Sequence, residues 1–154
     1  MKVEYIEPFI KAAIEVIKAE FGMDVELGEL SAEKASNTTQ EVTVLIGITG
    51  EVEGMVLYGV NTAMASEIVL HLTGESRPVF DEIGESVIAE LGNMISGRAT
   101  ANFEETGIMC TISPPSVIVG RGTIISSVNI KRLVIPLHLP IGTLHMAVAL
   151  RSRN

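Results

Sequence analysis

The feature that most constrains the fold of this chain is a pair of apolar segments on either side of a glycine-containing turn. In residues 42–48 apolar side chains alternate with polar or small ones, and the sequence TGEVEG then leads into a second apolar segment, residues 55–60. A period of two places successive side chains on opposite faces of a β-strand, and glycines allow the chain to reverse direction. The pattern predicts an antiparallel β-hairpin with one buried face.

Segments with helical periodicity lie on both sides of this hairpin. Apolar residues in 4–21 recur at the spacing of an α-helix, and Gly22 follows where a helix commonly ends. A second, shorter helical segment can be capped by either Asn61 or Thr62, and a third, longer one begins near Asp81 and ends near Glu104. The sequence therefore predicts three helices, of which the third is the longest.

The remaining segments have the character of strands and loops. Alternation returns in residues 111–152, with turn residues at 140–142, and residues 23–30 can form a short edge strand. The polar residues 31–40 are expected to form a loop. Helices and strands in this order predict an α+β fold, in which helices pack on an antiparallel β-sheet.

Composition limits the size of the fold and the class of partner. Hydrophobic residues make up 47% of the 154 residues and charged residues 19%, which is enough apolar material for one globular domain, residues 1–154. The formal net charge is −8, and the basic residues form no long run. Because the phosphate backbone attracts basic surfaces, nucleic acid is not an expected partner.

Sequence signals also bear on the compartment. The single Cys110 excludes an intramolecular disulfide, and the charged N-terminal sequence MKVEYIEPFIK lacks the apolar core of a signal peptide. The uncharged residues 133–150 approach the length of a membrane span, but they contain two prolines and alternate with a period of two, which predicts two strands. We therefore expect a cytoplasmic protein without a membrane segment.

The third helix carries the least ordinary pattern of the chain. Its predicted core face consists of seven apolar residues: Phe80, Ile83, Val87, Leu91, Met94, Ile95 and Ala101. Ser86, Glu90, Asn93 and Gly97 form a separate stripe on the flank, because they are spaced at i, i+4, i+7 and i+11. Gly92 and Gly97 each cost the helix about 1 kcal/mol relative to alanine. Such a sequence suggests that another surface approaches this helix closely.

The polar pair in this stripe has two interpretations at this point. Glu90 and Asn93 either work together on a ligand or are two solvated residues on an outer helix face. The Glu-x-x-Asn spacing arises by chance in a chain that is rich in glutamate, so the pair by itself does not decide between them. Arg98 and Asn102 lie nearer the core side, where we expect hydrogen bonds or subunit contacts.

Three longer segments of the sequence resemble one family. AELGNMISGRATANF at residues 89–103, VTVLIGITGEVEGMVLYGV at 42–60 and ISPPSVIVGRG at 112–122 resemble the CheX branch of the CheC/CheX/FliY phosphatases of bacterial chemotaxis. The resemblance implies a CheC/CheX-like fold, commonly a homodimer, that hydrolyses the aspartyl phosphate of the phosphorylated receiver CheY. CheC proteins usually carry two Glu-x-x-Asn motifs and CheX carries one. Here Glu67 is followed three residues later by Leu70, so this chain resembles CheX.

The resemblance also implies the residues of the site. The family motif matches Glu90 and Asn93, which are the expected catalytic residues, and Ser86 and Gly97 are the expected partner-binding residues on the same stripe. The protein is expected to have no cofactor or metal of its own, because Mg²⁺ would belong to the partner receiver domain. The alternative function is a non-catalytic adaptor that docks a response regulator or a flagellar switch component. The intact pair favours the enzyme, since an adaptor has no need for Asn93.

Other candidate groups have simpler explanations. His71, His138 and His145 lack the spacing of metal ligands, so packing or surface roles are expected for them. Cys110 lies in an apolar segment with no nearby histidine, which is typical of an inert thiol.

Overall fold

The computed structural model describes residues 2–33, 37–77, 81–126 and 130–153. Within them the helices are α1 Val3–Phe21, α2 Thr62–Thr73 and α3 Glu82–Glu105. The strands are β1 Glu26–Leu27, β2 Ser31–Glu33, β3 Asn37–Thr38, β4 Val42–Gly50, β5 Val52–Val60, β6 Cys110–Ile112, β7 Ser116–Val119, β8 Ile124–Ile125, β9 Arg132–Leu139 and β10 Gly142–Ser152.

Eight of these strands form one antiparallel sheet. Its order is β1-β9-β10-β5-β4-β6, with β2 paired to β9 and β7 paired to β4, while β3 and β8 form a small separate pair. Two long hairpins, β4–β5 and β9–β10, meet at the centre, where Val148 of β10 is opposite Val56 of β5. The α+β fold with helices on an antiparallel sheet is confirmed.

The first hairpin is longer than the sequence predicts. Most of TGEVEG belongs to the strands, because Thr49 pairs with Thr111 of β6 and Val52 pairs with Ser152 of β10. Gly54 allows this extension: it has φ 148°, and a Cβ there would lie 1.8 Å from the carbonyl oxygen of Ala149. The chain therefore stays in the sheet through a segment whose glycines predict a turn.

The three helices cover one face of the sheet. Alternate side chains of β4 face them and are fully buried: Val42, Val44, Ile46 and Ile48. They join one core cluster with Phe9 of α1, Met64 of α2 and Phe103 of α3. The rings of Phe9 and Phe103 pack edge to face, with centroids 5.9 Å apart. This core fixes the helices against the sheet.

Two predictions about short segments have different outcomes. The edge strand in residues 23–30 is confirmed as β1, which pairs with β9. The loop predicted for residues 31–40 is wrong in part, because β2 and β3 lie in it and β2 pairs with β9. Polar residues are common on edge strands, where one side of the strand meets solvent, so polarity alone does not distinguish such strands from a loop.

The uncharged residues 133–150 fall in the hairpin β9–β10, as their alternation predicts. In the part of the chain that the structure describes, no helix has the length and apolarity needed to cross a membrane.

Candidate active site

Helix α3 begins at a well-formed cap. The Asp81 carboxylate accepts a hydrogen bond of 3.1 Å from the backbone N–H of Gly84, and it also forms an ion pair with Arg77. The hydrogen bonds from Arg77 and from Gly84 lower the pKa of Asp81 to about 2. The predicted start of the third helix is thus confirmed, and its first turn is held by two contacts.

The buried face of α3 is rotated relative to the predicted one. The buried residues are Gly84, Ile88, Leu91, Gly92, Ile95, Ser96, Ala99, Asn102 and Phe103. Leu91 and Ile95 were correctly predicted, whereas Ile83 is 52% exposed and Ala101 is also exposed. Val87 and Met94 are half-buried, and Phe80 lies outside the described residues. The prediction ranked residues by apolarity and therefore overlooked the small residues that pack on the sheet.

Gly92 and Ser96 explain the rotation. A Cβ on Gly92 would lie 3.0 Å from Cγ1 of Val44 and 3.2 Å from the Tyr58 ring, so the helix backbone is close to the sheet. One turn later the hydroxyls of Ser96 and Tyr58 share a buried hydrogen bond of 2.8 Å. Burial also raises the pKa of Tyr58, which keeps the phenol protonated. The close approach that Gly92 permits is therefore to the protein's own sheet and not to a partner.

The four predicted site residues lie together on the outward face of α3. Ser86 and Glu90 are exposed, and Asn93 and Gly97 are half-buried. At about 1.5 Å per residue the stripe extends roughly 16 Å along the helix axis, and Glu90 and Asn93 are about one turn apart. A Cβ on Gly97 would meet no atom within 4 Å, so this glycine has open space above it. The predicted juxtaposition of these four residues is present.

One further polar residue lies near the stripe. Thr100 lies three residues after Gly97, and its hydroxyl donates a hydrogen bond of 2.7 Å to the Gly97 carbonyl oxygen.

The charges on α3 divide into paired and unpaired groups. Arg98 donates a hydrogen bond of 2.7 Å to Glu15 of α1, and Asn102 donates one of 3.0 Å to the Pro8 carbonyl oxygen, so the predicted hydrogen bonds on this side are confirmed. Within the described residues Glu90 makes no salt bridge, which leaves its carboxylate available to a partner.

A shallow groove borders the stripe. It has a volume of about 600 Å³ and lies between α3 and the C-terminal ends of α1 and α2. Its lining residues are Glu20, Leu72, Thr73, Glu82, Ile83, Ser86, Val87, Glu90 and Met94. The predicted core face includes Ile83, Val87 and Met94, so a groove lined by these residues is not expected from the sequence. Ile83 is instead exposed, and Met94 packs against the core as predicted but also lines the groove.

The other candidate groups have structural partners. His71 Nδ1 lies 2.8 Å from the Glu67 carbonyl oxygen, and His138 Nδ1 lies 2.9 Å from the Thr143 hydroxyl. Among residues 2–33, 37–77, 81–126 and 130–153, no three His, Cys, Asp or Glu side chains are grouped so that they could hold a metal ion. Burial raises the pKa of the Cys110 thiol, which disfavours the reactive thiolate.

Comparison with known proteins identifies relatives over most of the chain. This chain is 29% identical over 143 residues to the CheY-P phosphatase CheX of Thermotoga maritima, which covers 92% of this chain and 89% of the relative. The fold is similar to that of the chemotaxis protein CheX from Desulfovibrio desulfuricans, with a TM-score of 0.85 and 25% identity over 98% of this chain and all of that one.

A third relative was solved as a complex. The CheX-CheY-BeF₃-Mg²⁺ structure from Borrelia burgdorferi contains a chain similar to this one, with a TM-score of 0.81 and 27% identity over 98% of this chain and all of that one. The family model for the chemotaxis phosphatase CheX matches residues 42–138, which run from β4 through α3 into β9. Because the match covers more than half of the 154 residues, this chain belongs to the chemotaxis phosphatase CheX family.

Proposed function

We propose that this protein is a phosphatase that hydrolyses the aspartyl phosphate of a phosphorylated CheY-like response regulator in chemotaxis signalling. The observation that carries the proposal is the placement of Glu90 and Asn93, one turn apart on the outward face of a helix that the sheet holds in one orientation. The Thermotoga relative is a CheY-P phosphatase, and the Borrelia relative was solved with CheY, BeF₃ and Mg²⁺, which supports a receiver as the substrate.

We assign Asn93 the role of orienting the attacking water. An aspartyl phosphate is already activated, and the transition state of phosphoryl transfer is loose, so positioning contributes more than a strong base. The Asn93 carboxamide can accept a hydrogen bond from water through its oxygen and donate one through its NH₂ group. Because it is uncharged, it can approach the anionic phosphoryl group without repulsion. Asn93 is half-exposed and therefore accessible to such a group.

Glu90 has a different role in this mechanism. A carboxylate next to the phosphoryl oxygens would be repelled, but one turn away it can pair with a lysine of the receiver. Such a pair anchors α3 so that Asn93 enters the receiver's site. Ser86 and Gly97 contribute to partner binding, since the open space above Gly97 lets the receiver approach the helix backbone.

In the proposed reaction the metal ion is bound by the receiver and not by this chain. We propose that Mg²⁺ is held by the receiver, where it neutralises phosphoryl charge, and that this chain contributes only side chains. We further propose that residues 1–154 form one CheX-like domain that acts in the cytoplasm as a homodimer.

The direct test is a decay assay. The phosphoryl group of a radiolabelled CheY-like receiver should disappear faster when this protein is added in catalytic amounts with Mg²⁺. Unchanged decay together with intact binding to the receiver would favour the non-catalytic adaptor and exclude the phosphatase.

A further inference from the structure

The groove beside α3 exposes apolar surface directly next to Glu90. Leu72 of α2 and Val87 and Met94 of α3 are half-buried in it, and Ile83 at its edge is 52% exposed. Its volume of about 600 Å³ is large enough to accept side chains of another protein. Exposed apolar surface that is concentrated in a concave site commonly marks an interaction surface.

The charges around this groove are all of one sign. The charged lining residues are Glu20 of α1 and Glu82 and Glu90 of α3, and none of the three makes a salt bridge within the described residues. Three unpaired carboxylates around an apolar floor favour a partner that presents an apolar side chain together with lysine or arginine.

A second groove between the helices provides a contrast. It lies between α1 and α3 and is also largely apolar, but three of its four glutamates are paired with basic residues, Glu4 with Lys2 at 3.6 Å among them. Arg98 is 2.7 Å from Glu15, and Lys11 is 3.8 Å from Glu105. Of these two grooves, the one beside Glu90 therefore carries more unpaired glutamates among the described residues.

The groove is continuous with the stripe on α3, so both surfaces would contact the same partner. Ser86 and Glu90 line the groove and also belong to the stripe that contains Asn93, so a receiver whose phosphoryl group reaches Asn93 also covers the groove. We propose that this groove is the docking site for a surface segment of the receiver that carries an exposed apolar side chain flanked by lysine or arginine. The inference rests on the proposed function, and it adds residues of α1 and α2 to the receiver interface.

Two substitutions test the groove without changing the catalytic pair. Ile83→Ser removes apolar surface and should raise the KM for the phosphorylated receiver about 10-fold. Glu20→Lys reverses a charge on α1 and should raise KM about 5-fold at low salt and less at high salt. In both variants kcat should remain near the wild-type value, because neither residue contacts the reacting atoms.

Matched controls are available on α1. Ile14→Ser and Glu7→Lys make the same chemical changes at residues that line the other groove, and both should leave KM unchanged. Circular dichroism of all four variants establishes that each one is folded. The dissociation constant for a BeF₃-activated receiver, measured by calorimetry, should increase for Ile83→Ser and Glu20→Lys and not for the controls.

The outcomes separate the two proposals. If the wild-type protein fails to accelerate decay, the phosphatase function is wrong, while calorimetry still tests the docking site. If the wild-type protein is active and folded Ile83→Ser and Glu20→Lys bind the receiver as it does, the docking site is wrong. A fall in kcat at unchanged KM would also overturn it, because the groove would then affect the chemical step and not binding.

Discussion

At the scale of single residues, the site depends on the difference between a carboxamide and a carboxylate. Asn93 and Glu90 are one turn apart on the same exposed face, yet only the uncharged side chain suits a position beside a phosphoryl group. Neither proposed role requires a metal in this chain. In the proposed mechanism the exposed location is an advantage, because the receiver would supply the electrophile and its surroundings.

Replacement of Asn93 tests this assignment. Asn93→Ala should lower kcat by roughly 100-fold or more, because the attacking water loses its orientation, while the affinity for the activated receiver stays within about twofold of wild type. Asn93→Asp keeps the shape but adds a negative charge, so it should also be inactive. Single-turnover decay of the phosphorylated receiver measures both effects. Normal turnover by either variant contradicts the role of the carboxamide.

Asp81 gives the stability of the protein a defined pH dependence. Its pKa is about 2 in the folded protein, against an ordinary value of 3.8, because it binds Arg77 and the Gly84 N–H. A lowered pKa contributes stability above the unfolded value and loses that contribution as the pH falls through the folded value. The midpoint of urea unfolding should therefore decrease between about pH 4 and pH 2. Asp81→Asn keeps a capping oxygen and should flatten the curve in this window, whereas a curve of wild-type shape would argue against Asp81 as the source.

At the scale of elements, α3 illustrates how much of a helix its own sequence specifies. Its start at the Asp81 cap, its length and the spacing of the stripe follow from local patterns. The rotation of α3 about its own axis does not follow from local patterns. Gly92 and Ser96 face the sheet, whereas the more apolar Ile83 was expected to face it. A bulky side chain at the position of Gly92 would push the helix away from Val44.

Gly92 and Gly97 of α3 should show opposite changes in stability when each is replaced by alanine. Gly97→Ala places Cβ in open space, so it should raise stability by up to about 1 kcal/mol and weaken receiver binding by obstructing the helix surface. Gly92→Ala forces Cβ against Val44 and Tyr58, and such overpacking typically costs about 1–3 kcal/mol, which exceeds the gain in helix propensity. Urea unfolding and receiver titration measure the two effects. Equal stability changes at both positions would contradict this account.

At the scale of the whole molecule, the sheet still has ends that can pair with another chain. The described order ends at β1 on one side and β6 on the other, with β7 paired to β4 beside β6. Strand edges with unpaired backbone groups can join across a two-fold axis. The homodimer stays a prediction, and the described contacts do not select the edge.

Light scattering tests the assembly. A homodimer should have twice the chain mass of 16.5 kDa at micromolar concentration and should resist dilution if the interface is stable. A mass of one chain across the concentration range would exclude the dimer. Because Asn93 is on the helix face opposite the sheet, the phosphatase assay should give the same kcat for either state.

The sequence by itself determined the kinds of element and the local geometry of the site. Alternation identified the hairpins, helical periodicity identified α1 and α3, and spacing alone placed Ser86, Glu90, Asn93 and Gly97 on one face, because these patterns depend on residues that are close together in the chain.

The tertiary structure determined the contacts between different helices and strands and the groove that the helices form. The Tyr58–Ser96 hydrogen bond joins residues 38 apart and fixes the rotation of α3, and the acidic groove requires Glu20, Leu72 and Glu82 from three different helices. Such contacts join positions whose spacing in the sequence has no fixed relation to their distance in space. For this reason the shared face of Glu90 and Asn93 could be predicted from the sequence, and their catalytic role stays a prediction, whereas the groove beside them is visible only in the folded chain.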